Sequence, residues 1–261
     1  MLFPHKDVIL FSNMIEEKES FVDVTNRTFR IRRHDPASED QGPYQEYHLD
    51  VPRGQTVLEA LIRIQAEQDG SLAFRYSCRG AVCGSCAMVM NGRIDLACRA
   101  QIHEMKTDTV TIEPLPNLRV LKDLIVDMDT FLEKNVAVQP WLQPAGPAPE
   151  RERLVDPVQW AEAEPYTNCI LCASCYGACP VAERDQHYLG PAALAKQYRF
   201  LADIRDASAD VRTNLVDSKQ GVWGCDMVWN CVEICPKGVP PTQGISKTRA
   251  RIRRAQRAHT S

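Results

Sequence analysis

Eleven cysteines in 261 residues, clustered by spacing, constrain this chain more than any other feature. Eleven is odd, so full pairing into intramolecular disulfides would leave one thiol over. Nor does the N-terminus read as an export signal. Val8-Ile9-Leu10-Phe11 is cut short by Ser12 and Asn13, and Glu16, Glu17 and Glu19 follow. The same acids argue against a mitochondrial presequence, and Arg32-Arg33 lies inside a strand-like alternation with no apolar stretch behind it. In a reducing compartment clustered cysteines favour metal or redox chemistry over disulfides. Basic and acidic residues number 31 and 34, a net charge of −3 that gives no global pull toward nucleic acid. No apolar run approaches the ~18–20 residues that span a bilayer.

The first group is Cys78-x4-Cys83-x2-Cys86 with Cys98 further on, the plant-type 2Fe–2S spacing. Its intervening residues are small or flexible, and Gly80 and Gly84 are expected to take backbone angles closed to other residues, so that N–H groups point at sulfur. A structural zinc site is the alternative, but it prefers paired C-x2-C knuckles.

The second group, Cys169-x2-Cys172-x2-Cys175-x3-Cys179-Pro180, has the bacterial ferredoxin spacing. A second copy overlays residues 225–236 as Cys225-x2-Val228-x2-Cys231-x3-Cys235-Pro236, with Val228 where a ligand would stand. In two-cluster ferredoxins the fourth cysteine of each run serves the other cluster. Cys169, Cys172, Cys175 and Cys235 are therefore expected to hold a 4Fe–4S cluster, and Cys179, Cys225 and Cys231 the other. Valine has no donor atom and is expected to keep water out, so the economical reading is a 3Fe–4S cluster. The competing reading makes Val228 a helix core position, with water or another residue completing a 4Fe–4S cluster. Ser174, beside Cys175, is a poorer ligand than the thiolates at regular spacing. The three sets use every cysteine.

Around these groups the pattern gives an α+β chain. Residues 1–27 read as an extension. Residues 28–115 read as a small mixed sheet on one helix that carries the plant-type 2Fe–2S cysteine spacing. Its strands are expected from Thr28, at Tyr44–Val51 and at Val110–Glu113, with a hairpin Ala87–Met90/Arg93–Leu96 turning on Asn91-Gly92. Its helix starts at the capping box Thr56–Glu59. Residues 116–160 read as a connector helix, Leu118–Leu132, and a proline-rich linker, Gln143–Pro157. Residues 161–261 read as an all-α domain with a helix over Pro191–Asp206 and a basic terminal helix after Pro240-Pro241. That helix carries Lys247, Arg249, Arg251, Arg253, Arg254 and Arg257, either as a solvated face or for anionic lipid or an acidic partner.

Three clusters suggest an electron relay. No dinucleotide or phosphate-loop fingerprint is present, and the six histidines show no ligand spacing. Electrons must enter from, and leave to, partners or a docked small molecule. An iron–sulfur or zinc regulatory protein is the reading from another class, and the electron-transfer subunit of some other flavin-linked dehydrogenase is a third.

The run Arg75-Tyr76-Ser77-Cys78-Arg79-Gly80-Ala81-Val82-Cys83-Gly84-Ser85-Cys86-Ala87 resembles the iron–sulfur subunit of succinate dehydrogenase and fumarate reductase. So do Lys122-Asp123-Leu124-Ile125-Val126-Asp127-Met128, Pro140-Trp141-Leu142, Gly190-Pro191-Ala192 and Cys235-Pro236-Lys237-Gly238. The resemblance implies a β-grasp ferredoxin domain followed by a helical ferredoxin domain. It also implies a flavoprotein partner holding FAD and the dicarboxylate site, and membrane-anchor subunits where quinone reacts near the 3Fe–4S cluster. By that resemblance the chain is peripheral on the cytoplasmic side of a bacterial membrane, holds no catalytic residue, and serves either succinate oxidation or the reverse relay of a quinol:fumarate reductase. Val181-Ala182-Glu183-Arg184 after Pro180, and Asp226 after Cys225, depart from the ubiquinone-linked pattern and lean toward menaquinone.

Overall fold

A computed structural model describes residues 24–37 and 42–260. Most of the expected extension, residues 1–23, lies outside the described residues. Its last four residues do not belong to an extension, because β1 (Val24–Arg32) begins at Val24. The strand starts early because β2 (Tyr44–Pro52) pairs with its whole length, Val24 opposite Pro52 and Arg32 opposite Tyr44.

The helix α1 (Val57–Glu67) starts where the capping box places it. Thr56 Oγ1 accepts from the Glu59 N–H, and the Thr56 N–H donates to Glu59 Oε2 at 2.8 Å. Its buried face, Val57, Leu58, Leu61 and Ile64, packs on the sheet. Each such side chain contributes about 1.5–3 kcal/mol on leaving water. The hairpin β3 (Ala87–Met90)/β4 (Arg93–Leu96) forms in the expected register, with Asn91 and Gly92 both left-handed at the turn. With β5 (Thr109–Glu113) the five strands order β2-β1-β5-β3-β4, β1 and β5 running parallel at the centre.

The expected connector helix does not form. Leu118–Leu132 instead contains the short hairpin β6 (Val120–Lys122)/β7 (Ile125–Val126), and the helix α2 begins only at Asp129 and runs to Ala137. A buried carboxylate decides this. Asp123, 1% exposed and left-handed, accepts from Arg33 Nε and from the His34 and Ala73 N–H groups, tying the segment to the sheet domain. No helical turn could present those contacts, so tertiary bonding overrides the 3.6-residue apolar period.

The helical half also starts earlier than residue 161. Pro157 is the first residue of α3 (Pro157–Thr167), with Asp156 capping it. Then follow α4 (Ser174–Gly177), α5 (Pro180–Arg184), α6 (Pro191–Leu201), α7 (Ala209–Asn214), α8 (Asn230–Glu233) and the basic α9 (Pro241–Thr260). The helix α6 stops short of Asp206. Asp203 and Asp206 turn the chain instead, Asp206 bonding the Gln143 and Ser208 N–H groups and the buried Arg212.

One continuous apolar core runs through both halves, from Phe29 in β1 to Ile252 in α9. The seam is fixed by backbone contacts. Asn117 Nδ2 donates to the carbonyls of Tyr176, Gly177 and Cys179 at 2.9–3.1 Å. On the far side of the seam, Arg99 Nη1 reaches Pro236 O.

Candidate metal centres

The first cysteine set is built almost entirely by one loop between Phe74 and β3, closed by Cys98 just past β4. Cys78 Sγ accepts from the N–H groups of Gly80, Val82 and Cys83 at 3.2–3.4 Å, and the Ala81 N–H donates to Cys98 Sγ at 3.3 Å. Gly84 takes the expected left-handed angle (φ 76°), but Gly80 does not; Arg79 (φ 55°) and Ala81 (φ 56°) do so instead. Left-handed backbone at these two non-glycine residues costs about 1–2 kcal/mol each. What it achieves is a backbone curled inward, with its donors on sulfur. The N–H of Cys78 and the Ser85 hydroxyl lower the Cys83 thiol to about 6, whereas burial pushes Cys86 up to about 12.

The other sets arise from two loops of one shape. Leu171 (φ 54°) and Ala173 (φ 62°) flank Cys172, and Met227 (φ 61°) and Trp229 (φ 66°) flank Val228. Short helices, α4 and α8, then start at the same step. The duplicated spacing is thus a duplicated backbone, retained where the cysteine is absent. Val228 itself is no helix core position and does not shut water out of this chain: it sits in the turn, 49% exposed. What it withholds is a donor atom.

Packing crosses the two loops. Cys169, Cys172, Cys175 and Cys235 line one cavity with Ala192, Ala195 and Val239. Cys179, Cys225 and Cys231 lie within electrostatic reach of one another. Ser174 Oγ lies 3.3 Å from Cys172 Sγ, as a hydrogen-bond partner of the thiol. Burial raises the thiols of Cys169, Cys172, Cys175 and Cys179, and lifts Cys231 to about 11. Such thiols must shed protons to ligate iron. Among the described residues no group of three or more His, Cys, Asp or Glu is placed to hold a single metal ion.

Two features test whether these residues suit larger sulfide-bearing groups. Backbone N–H groups point at sulfur in both halves, including Met227 N–H to Cys225 Sγ at 3.4 Å and Val239 N–H to Cys235 Sγ at 3.3 Å. The phenol of Tyr188, buried to 1% exposure, makes no well-formed hydrogen bond among the described residues, with the Cys225 thiol beside it and Cys179 and Cys231 within electrostatic reach. A donor left short of a well-formed hydrogen bond near these thiols fits an anionic guest. Sequence reasoning missed Tyr188, because a lone tyrosine between Asp185 and Gly190 carries no spacing signal.

Comparison with known proteins now bears on this geometry. Residues 28–133 match the family described as a 2Fe-2S iron-sulfur cluster binding domain, and residues 165–239 the 4Fe-4S dicluster domain. The chain is 37% identical over 230 residues to the mitochondrial succinate dehydrogenase [ubiquinone] iron-sulfur subunit of Candida glabrata, covering 87% of this chain and 91% of that protein. It is 36% identical over 219 residues to the fumarate reductase iron-sulfur subunit of Mycobacterium tuberculosis, covering 83% and 89%. The chain belongs to the succinate dehydrogenase and fumarate reductase iron–sulfur subunit family. A chain of the Mycobacterium smegmatis Sdh1 complex in the apo form shares the fold, with TM-score 0.79 at 24% identity over 88% of this chain and 96% of that one.

Membership of the succinate dehydrogenase and fumarate reductase iron–sulfur subunits makes this an electron-transfer subunit of complex II. It displaces the regulatory reading and that of another flavin-linked dehydrogenase. As in the family, a ferredoxin-like mixed-sheet domain precedes a helical one. No helix among the described residues is long and apolar enough to cross a membrane.

Proposed function

We propose that this chain holds three iron–sulfur centres in a row and carries electrons between the FAD of a flavoprotein subunit and a quinone at membrane-anchor subunits. The assignment is Cys78, Cys83, Cys86 and Cys98 for 2Fe–2S; Cys169, Cys172, Cys175 and Cys235 for 4Fe–4S; Cys179, Cys225 and Cys231 for 3Fe–4S. The crossing of Cys235 into the first loop's cavity, with Cys179 returned to Cys225 and Cys231, carries this reading. Bound clusters supply one-electron transfer, a chemistry no side chain here provides.

The protein's own part is to hold, space and solvate. N–H groups and hydroxyls aimed at sulfur stabilise negative charge and so help set potential. Gly84 brings the first set against the second: a Cβ there would lie 2.7 Å from Cys172 Cβ. Cys175 and Cys231 lie within electrostatic reach of each other, so the second and third sets adjoin. The order in space is therefore first, second, third.

Exposed Val82 and Tyr76 at the first set, and exposed Val228 and Trp229 at the third, mark two ends on which partners would dock. The third set also borders the Arg184–Asp226 ion pair, formed by the two segments that depart from the ubiquinone-linked pattern. That departure supports menaquinone, and the family supports a peripheral seat on the cytoplasmic face of a bacterial membrane. Electron paramagnetic resonance of the air-oxidised complex tests the centres. Oxidised 2Fe–2S and 4Fe–4S clusters are silent, so a near-stoichiometric signal that vanishes on reduction is expected from the third set. Full iron and sulfide content without that signal would overturn the 3Fe–4S assignment. Ubiquinone alone in the purified complex would overturn the menaquinone reading.

A further inference from the structure

Among the described residues the Tyr188 hydroxyl is the one fully buried hydroxyl that makes no well-formed hydrogen bond. Thr242 Oγ1, at the start of α9, sits 3.1 Å from Cys231 Sγ, and Ser174 Oγ sits beside Cys172 Sγ. Tyr188 Oη has only the Cys225 thiol beside it, short of a well-formed hydrogen bond, although its ring is locked in place. The Tyr188 N–H bonds Asp185 O, and the next residue, Leu189, bonds Gln220 O at 2.8 Å. Gly224, directly before Cys225, leaves so little room that a Cβ there would come within 3.1 Å of the Tyr188 ring. Ring and thiol loop are therefore packed as one unit, with the phenol beside the Cys225 thiol and within electrostatic reach of Cys179 and Cys231.

Burying a hydroxyl without a well-formed hydrogen bond is unfavourable. Phenylalanine would fill the same space without that cost. A phenol is protonated at neutral pH, so the group is available as a donor and not as an acceptor of protons. Bound cysteines have lost their protons, so what the hydroxyl meets in the loaded protein is acceptor sulfur.

We propose that Tyr188 donates a hydrogen bond to sulfur of the third centre and thereby raises that centre's reduction potential, without acting on the other two. This rests on the three-centre reading above. The reduced centre carries one more electron than the oxidised one, and a fixed donor stabilises the more negative state more strongly. Tyr188 itself neither gains nor loses a proton or an electron. The electron arrives from the neighbouring centre and leaves to the quinone. A residue doing this at the last centre biases electrons toward the quinone end.

The test is Tyr188→Phe in the intact complex, with redox titrations of all three centres followed by paramagnetic resonance. The expected result is an undiminished oxidised-state signal whose midpoint falls by about tenfold in the redox equilibrium, ~59 mV for one electron, with the other midpoints unmoved. Double-resonance spectra of the wild-type third centre should show a solvent-exchangeable proton that Tyr188→Phe removes. An unchanged midpoint, or an equal shift in all three centres, would overturn the proposal. Absence of any oxidised-state signal in the wild-type complex would instead overturn the three-centre reading beneath it.

Discussion

The loop that gathers Cys78, Cys83 and Cys86 and the paired loops around Cys169–Cys179 and Cys225–Cys235 use the same chemistry by opposite routes. In the sheet domain three thiols and most of their N–H donors come from one short stretch of chain at the surface, Cys78 exposed and Val82 63% exposed. In the helical domain the proposed assignment has each set borrow a thiol from the other run, and the thiols are raised by burial. The first centre is a property of a loop; the second and third are properties of packing. A local site survives changes elsewhere in its domain, whereas a crossed site transmits them.

Replacing a crossing thiol should have the largest effect. Cys235→Ser is expected to abolish the 4Fe–4S centre, seen as loss of its reduced-state resonance, although Cys169, Cys172 and Cys175 are intact. Cys98→Ser should harm only the 2Fe–2S centre. If Cys235→Ser removed the third centre's signal and spared the second, the crossed assignment would be wrong.

Next comes the packing that holds the helical half. Arg212 is fully buried against Asp206 at 2.5 Å and also donates to Gln139 O and Trp141 O. Asp206→Asn leaves that guanidinium uncompensated, at a cost of about 3–5 kcal/mol, readable as a lowered unfolding midpoint. Burial alone would raise the Asp206 carboxyl. The Arg212 hydrogen bond and the Gln143 and Ser208 N–H groups outweigh it and hold the carboxyl below the usual range. In the sheet domain the Ser71 and Tyr47 hydroxyls hold Asp69 low in the same way. Groups with depressed folded pKa values stabilise fully above their unfolded value near ~4, and that stability is lost as pH falls through the folded values. Thermal midpoints should therefore fall steeply below about pH 4, and less steeply in Asp206→Asn.

At the seam, Gly84→Ala combines a left-handed angle with a Cβ pressed on Cys172, and should cost about 1–3 kcal/mol. Magnetic coupling between the first two centres should weaken with it. Destabilisation with unchanged coupling would show that Gly84 serves the turn and not the spacing.

The smallest effect on the fold is expected at Val228. Its side chain is half exposed on a backbone already shaped like that of Cys172, so Val228→Cys should alter stability by no more than about 0.5 kcal/mol. It should still replace the oxidised-state signal of the third centre by a reduced-state 4Fe–4S signal. Persistence of the oxidised signal would show that the missing thiol is not what leaves out the fourth iron.

Local chemistry was the legible part. The Thr56–Glu59 box, the Asn91-Gly92 hairpin and the start of α9 read directly, because turn angles and caps depend on neighbours along the chain. Leu118–Leu132 misled because its apolar period suits a helix while Asp123, a distant partner of Arg33, forbids one. Gly80 misled in a smaller way, since the loop's closure put the left-handed angles on Arg79 and Ala81.

By itself the sequence determined the donor inventory: which thiols exist, their spacing, and the gap at Val228. Those are matters of covalent order and reach. Only the tertiary structure decided what surrounds them, from the contact of Gly84 with Cys172 to the buried phenol of Tyr188 beside the Cys225 thiol. Burial and hydrogen-bond satisfaction are set by residues far apart in the chain, and no local spacing rule encodes them.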